Sequence, residues 1–173
     1  MIFAMKYIKT AEIEEICKMQ KQSLRVISIA LLLIAFFTLT AQAFPTAYLE
    51  LLDSNILVGE SFDVNVWADG DGIMQELLAF GFDVSTTGGA FSYDGYTIQP
   101  EFYDDSSGSD NVSGSAFPSI TNTYDVLLAK LSFNSLSEGT GNLTITGYYN
   151  SMFSGLYYED DGFDIFASTD ISV

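Results

Sequence analysis

The chain has 173 residues, with 23 acidic side chains, six basic ones and no histidine, which gives a formal net charge of −17. After residue 43 the only basic residue is Lys130, set against twenty carboxylates, and the single cysteine, Cys17, lies before that point. Such a charge repels phosphate backbones and excludes nucleic acid as a partner. Without histidine or cysteine, serine and cysteine triads lack a base, and zinc lacks its usual ligands.

Residues 19–43 have the pattern of an export signal, within a leader that covers residues 1–43. Lys21 and Arg25 precede an apolar run from Val26 to Leu39, and Ala41-Gln42-Ala43 supplies a small-x-small cleavage site. The alternative is a retained membrane helix, but an apolar run of this length falls short of the roughly 20 residues that span a bilayer. We therefore expect a secreted or cell-surface protein that meets the membrane only through its signal during export.

Residues 44–173 are enough for one domain with a real core and too few for two ordinary ones. Apolar and polar residues alternate with period two between turns rich in Gly, Asn, Asp and Ser, which is typical of an all-β domain. The pattern predicts seven to nine strands in an antiparallel β-sandwich with a jelly-roll or immunoglobulin-like path. Residues 104–119, rich in Ser, Gly and Asp, are expected to form a long loop.

The first clear strand covers 61–67, with Phe62, Val64 and Val66 on one face and Trp67 on the other. The next predicted inward face consists of Leu78, Phe80, Phe82 and Val84, and the small residues opposite, such as Ala79 and Gly81, indicate close packing by a neighbouring segment. In 125–135 the predicted core positions are Leu127, Ala129, Leu131 and Phe133, with Lys130 pointing outward. Further strands are predicted at 47–52, 90–98, 142–148 and 163–173.

The order of three segments resembles cohesin-like domains of exported bacterial proteins. The segments are VGESFDVNVWADG (Val58 to Gly70), LLAFGFDV (Leu77 to Val84) and VLLAKLSFNSLSEGTGNLTI (Val126 to Ile145), with most weight on Leu128 to Thr140. The resemblance implies a β-sandwich that binds rather than catalyses. Cellulosomal cohesins bind dockerin modules through one sheet face, but no dockerin-like segment occurs in this chain, so dockerin binding is an analogy of fold only.

Acidic clusters in Gly-rich turns suggest calcium, which takes six to eight oxygen ligands in flexible geometry. The alternative is that these carboxylates are solvated and give solubility. An EF-hand is excluded, because Phe80 stands where a twelve-residue loop starting at Asp69 would need glutamate. The candidate metal ligands are Asp69, Asp71, Asp104, Asp105, Asp110, Glu159, Asp160 and Asp161.

Aromatic side chains beside carboxylates suggest a second kind of site, since sugar rings stack on aromatic faces while acidic groups accept hydroxyl hydrogen bonds. The candidates are Trp67, Tyr103 and Tyr157; the alternative is that such rings cover sheet edges or the rim of the core. A glycosidase would need a carboxylate pair in a cleft, which a domain of this size is poorly suited to provide. We therefore expect a non-catalytic module that binds an extracellular protein or a polysaccharide, with a calcium-stabilised carbohydrate-binding module as the alternative.

Overall fold

The computed structural model describes residues 44–70, 75–121, 123–151 and 154–173. The predicted export signal at 19–43 lies outside these residues. Eleven strands form in the described part of the chain, more than the seven to nine predicted. The two additional strands, β5 and β10, are only three and two residues long, too short to show an alternating pattern in the sequence. The strands are β1 (Thr46–Leu51), β2 (Ser61–Asp69), β3 (Leu77–Thr87), β4 (Phe91–Ile98), β5 (Phe102–Asp104), β6 (Asn111–Ile120), β7 (Val126–Ser135), β8 (Thr140–Gly147), β9 (Gly155–Tyr158), β10 (Gly162–Phe163) and β11 (Ile165–Ser172).

The strands form two antiparallel sheets, which confirms the predicted all-β sandwich. One sheet has four strands in the order β1-β2-β7-β4. The other has seven, with the path β10-β9-β3-β6-β5, while β8 pairs with the second half of β3 and carries β11 on its far side. The described part of the chain contains no helix with the length and hydropathy needed to cross a bilayer.

The core lies between the sheets and is built from the apolar faces that alternation predicted. Phe62 is buried and stacks on Phe133 with ring centroids 5.3 Å apart, and Phe91 meets both rings edge-on. Phe80 and Phe82 supply the facing layer from β3. Such interlocked aromatic pairs add about 0.5–1.5 kcal/mol each beyond the area they bury.

Two β-bulges overturn predicted core positions. Leu78 was predicted to point inward but is 37% exposed, because the register of β3 shifts between Leu77 and Ala79 and Leu77 takes the buried place. Leu127 was predicted in the core but is half-buried opposite Trp67, because a shift in the β2–β7 register leaves Leu128 as the buried residue. A bulge inserts one extra residue into a strand and therefore changes which of the following side chains face the core.

The loop predicted at 104–119 is wrong over most of its length, because β6 runs from Asn111 to Ile120 between β3 and β5. Its glycine, Gly114, is required by neighbouring aromatic residues. A β-carbon on Gly114 would lie 2.9 Å from the ring of Phe80 and 3.1 Å from Phe102. Glycine, typical of loops, here makes room for the core.

Candidate functional site

The predicted ligand-binding aromatics lie on two different sheets. Tyr103 is on β5 and Tyr157 on β9, both in the seven-stranded sheet, whereas Trp67 is on β2 in the four-stranded sheet. The structure therefore brings the two tyrosines onto one surface and separates them from the tryptophan.

Tyr103 and Tyr157 are the two ends of one row across the outer face of the seven-stranded sheet. In the strand register Tyr103 faces Ser115, Ser115 faces Ala79, and Ala79 faces Tyr157. Partners in register lie on the same side of a sheet, about 4.8 Å apart from strand to strand. Two small residues thus stand between two tyrosines, which leaves a depression in the sheet surface.

This depression, which we call the tyrosine groove, has a volume of about 500 Å³. Its walls include the exposed side of Leu78, which the bulge in β3 turns outward, and one carboxylate, Asp105. Sequence reasoning missed the contribution of Leu78, because only the register of β3 with its neighbours reveals it. Tyr103 borders the groove beside Ser115, its partner in register. The residues that line the groove are Leu78, Ala79, Phe80, Asp105, Ser113, Gly114, Ser115 and Tyr157.

The two tyrosines at the ends of the row differ in how firmly they are held. The Tyr157 hydroxyl has one proton, which it shares between two backbone acceptors, the oxygen of Tyr149 at 2.8 Å and that of Ser151 at 2.9 Å. Its ring is therefore fixed against the segment that follows β8. Tyr103 is 63% exposed at the short edge strand β5, and a bound partner can bury much of its ring.

Ser113 is a groove residue that sequence reasoning did not identify. It is 1% exposed, and its side-chain oxygen has no hydrogen-bond partner among the described residues. Its backbone nitrogen donates to Ser106 Oγ at 3.0 Å, and its carbonyl oxygen accepts a 3.0 Å bond from the backbone of Asp105. Burying a hydroxyl without a hydrogen-bond partner costs free energy, and a ligand that reaches the Ser113 hydroxyl and bonds to it recovers that cost.

The predicted metal ligands fall into three separate places. Asp69 ends β2; Asp104 ends β5, and Asp105 and Asp110 follow it in the β5–β6 connection; Glu159, Asp160 and Asp161 lie in the turn between β9 and β10; and Asp71 is outside the described residues. Within the described ranges, no three acidic side chains stand together in a way that could hold a metal ion. Calcium binding therefore stays a prediction from the sequence.

Several of these carboxylates already have protein partners. Asp104 accepts a 3.0 Å bond from the backbone of Ser106 and a 3.4 Å bond from the Tyr96 hydroxyl. Hydrogen bonding from Ser106, opposed in part by burial and aided by Tyr96, holds the pKa of Asp104 below its ordinary value. Asp161 accepts a 3.1 Å bond from the amide of Gln75. Asp104 therefore stabilises its own turn, whereas Asp161 connects the β9–β10 turn to the segment before β3.

The fold has known counterparts among solved structures. The chain is similar to a cohesin module from the family 33 glycoside hydrolase of Clostridium perfringens, at 12% identity and a TM-score of 0.59, over 76% of this chain and 97% of that module. The fold is cohesin-like. A non-cellulosomal cohesin from the archaeon Archaeoglobus fulgidus is similar at 14% identity and a TM-score of 0.52, over 76% of this chain and 93% of that one.

Sequence identities of 12% and 14% establish a common fold but not a common function. No protein-family model matches the chain, and no curated protein sequence matches it either. The cohesin-like sandwich agrees with the resemblance carried by Val58 to Gly70, Leu77 to Val84 and Val126 to Ile145. Function must therefore be argued from the chain's own surfaces.

Proposed function

We propose that this chain is an exported, non-catalytic binding module that holds a protein partner in the tyrosine groove. The observation that carries the proposal is the row Tyr103–Ser115–Ala79–Tyr157, which leaves an apolar depression on the outer face of the seven-stranded sheet. The resemblance to cohesins implies a protein bound through one sheet face, and this groove indicates which face.

The chemistry of the groove favours an apolar side chain presented by a partner. Leu78 and Ala79 supply apolar surface, and the ring of Tyr157 closes one end. Interface energy concentrates where an apolar or aromatic anchor fills such a pocket and excludes water. Tyrosine at the rim suits this role, because its ring adds contact area at low conformational cost while the hydroxyl remains a hydrogen-bonding group.

Electrostatics adds a requirement on the partner's charge. Asp105 lies in the groove, and the residues after position 43 carry a formal net charge of −19, from twenty acidic side chains and Lys130. A basic partner is steered toward such a surface, and an acidic one is repelled. We therefore expect an anchor residue surrounded by lysine or arginine.

The groove is a place for binding rather than for hydrolysis. Glycoside hydrolysis needs two carboxylates flanking the scissile bond, and Asp105 is the one carboxylate among the described residues that line the groove. The lack of histidine and cysteine after residue 43 also argues against catalysis, because it removes the usual bases and nucleophiles. The signal at 19–43 supports delivery to the cell exterior, where such a partner would be met.

Capture from the exported proteins of the same cells tests the proposal. Immobilised protein with residues 44–173 should retain a partner, and Leu78→Ser and Tyr103→Ala should each lose most of it. Phe166→Ser is the matched control, because Phe166 is 70% exposed on β11 of the same sheet but is not among the groove residues. Equal capture by the groove variants, or capture of nothing with and without calcium, would contradict the proposal.

A further inference from the structure

A second surface, on the four-stranded sheet, carries a strip of three apolar side chains in register. Tyr48 on β1 faces Trp67 on β2, and Trp67 faces Leu127 on β7. The Tyr48 and Trp67 ring centroids are 6.3 Å apart and the ring planes differ by only 12°. Tyr48 is 38% exposed and the other two are half-buried. We call these three residues the aromatic strip; with strands about 4.8 Å apart it extends for roughly 10 Å.

Carboxylates fix the strip and keep spare acceptor capacity. Trp67 Nε1 donates to Glu50 Oε2 at 2.8 Å, and the Tyr48 hydroxyl donates to Asp125 Oδ1 at 2.8 Å. Asn65 Nδ2 also donates to Glu50 Oε2, at 3.2 Å. An ionised carboxylate offers about four lone-pair sites, so Glu50 and Asp125 can each accept further bonds from a ligand beside the rings.

The strip leads into a pocket of about 270 Å³. Leu127 belongs to both, and Asp125, which accepts the bond from Tyr48, also lines the pocket. The pocket adds the polar side chains of Gln99 and Glu101 and the ring of Tyr124, which is 60% exposed. Asp125 has φ of 47°, a left-handed conformation uncommon for residues other than glycine. Strained backbone of this kind is frequent at ligand sites, and here it stands where strip and pocket join.

We propose that the aromatic strip and its pocket bind a neutral oligosaccharide. The apolar faces of successive sugar rings would lie on Tyr48 and Trp67, and the hydroxyl groups would donate to Glu50 and Asp125. Nearly parallel rings beside fixed hydrogen-bond acceptors match this alternation of apolar faces and polar edges. The end of the glycan would enter the pocket, where the amide of Gln99 can both donate and accept.

Charge excludes anionic sugars as the ligand. Glu50, Glu101 and Asp125 border the site, and Lys130, the one basic residue after position 43, is already paired with Asp63 at 3.0 Å. A uronate or sulfate would approach several carboxylates without a free cation to offset the repulsion. This proposal is independent of the tyrosine groove, which lies on the other sheet, and either can fail without the other.

Trp67 is the chain's single tryptophan, so its fluorescence reports on the strip alone. Titration with neutral hexasaccharides of glucose, xylose, mannose and N-acetylglucosamine should give a saturable change with at least one of them and protection from acrylamide quenching. Oligogalacturonate of the same length should give none. No change with any neutral sugar, or a response only to oligogalacturonate or to an oligolysine peptide, would overturn the proposal.

Variants localise the binding. Tyr124→Ala, at an exposed ring of the pocket, should weaken the responsive sugar about tenfold, as expected for the loss of one stacking contact. Tyr48→Ala should weaken it at least as much, with its circular dichroism spectrum checked because β1 is an edge strand. Tyr103→Ala is the matched control in the tyrosine groove and should leave the affinity unchanged. Unchanged affinity in both strip and pocket variants would contradict the assignment even if a sugar binds.

Discussion

The carbonyl oxygen of Gly81 occupies the space that a β-carbon on Gly147 would need. The contact lies where β3 changes its neighbour, since Gly81 pairs with Gly155 of β9 whereas Asp83, two residues on, pairs with Thr146 of β8. The small residue that permits this close approach is Gly147 on β8. Glycine is needed here for space, because the obstacle is backbone and cannot rotate away.

Gly147→Ala should therefore destabilise the domain by about 3 kcal/mol, at the upper end of the usual cost of overpacking. Gly108→Ala is the matched control, because a β-carbon at Gly108 meets nothing within 4 Å. Chemical denaturation of both variants checks the prediction. Equal midpoints for Gly147→Ala and the unsubstituted protein would show that β3 and β8 are not so closely apposed.

The ion pair between Lys130 and Asp63 predicts a pH-dependent contribution to stability. Burial tends to raise the pKa of Asp63, but the 2.8 Å hydrogen bond from Ser132 and the charge of Lys130 at 3.0 Å outweigh it, and the pKa lies below its ordinary value. A carboxyl whose folded pKa is lowered stabilises the fold above its unfolded pKa, about 3.9, and the contribution is lost as the pH falls through the folded pKa.

Lys130→Met should lower the free energy of unfolding at pH 7 by at most about 1 kcal/mol. The side chains of Lys130 and Asp63 are 39% and 34% exposed, so solvent screens the ion pair. The difference from the unsubstituted protein should disappear once the pH has fallen below the lowered folded pKa of Asp63, where that carboxyl is protonated in both proteins. Carboxyl NMR titration should show a higher pKa for Asp63 in the variant. A stability difference that persists undiminished at low pH would assign the effect to packing of the lysine stem.

Removing the Ser113 hydroxyl is expected to be harmless to the fold. Ser113→Ala should leave the free energy of unfolding unchanged or raise it by about 1 kcal/mol, because a buried hydroxyl without a partner among the described residues is replaced by a methyl group. Ser132→Ala, which loses the bond to Asp63, should instead lower it by about 1 kcal/mol. Destabilisation by Ser113→Ala would mean that the hydroxyl is satisfied in solution.

Much of the fold could be predicted from the sequence, because alternation is a local property. Phe62, Val64 and Phe133 are buried as their positions in the pattern indicate. Leu78 and Leu127 could not be placed correctly, since each depends on a bulge, and a bulge is defined by the register with another strand.

The candidate site was less predictable than the fold. Tyr103 and Tyr157 were identified from residue type, but their common row with Ala79 and Ser115 follows from the register of four strands, and β3 and β9 lie far in sequence from the β5–β6 pair. β6 could not be recognised from the sequence, because its Ser and Gly residues are typical of loops and Gly114 is required by contacts with Phe80 and Phe102 rather than by strand propensity.

Calcium binding, predicted from the acidic turns, is tested by thermal unfolding. A ligand that binds only the folded state raises the melting temperature by mass action, so millimolar calcium should raise it and a chelator should reverse the rise. Magnesium at the same concentration is the control for screening of the negative charge. Equal shifts with both ions, or none, would mean that the carboxylates are solvated rather than ligands.

The most direct test of the account is to map where a captured protein partner binds. In NMR titrations of the isotopically labelled domain with that partner, we expect the largest chemical-shift changes at Ala79, Tyr103, Ser115 and Tyr157. Trp67 and Tyr48, on the opposite sheet, should move little. Changes centred on the aromatic strip, with the tyrosine groove unaffected, would contradict the claim that the groove is the protein-binding surface.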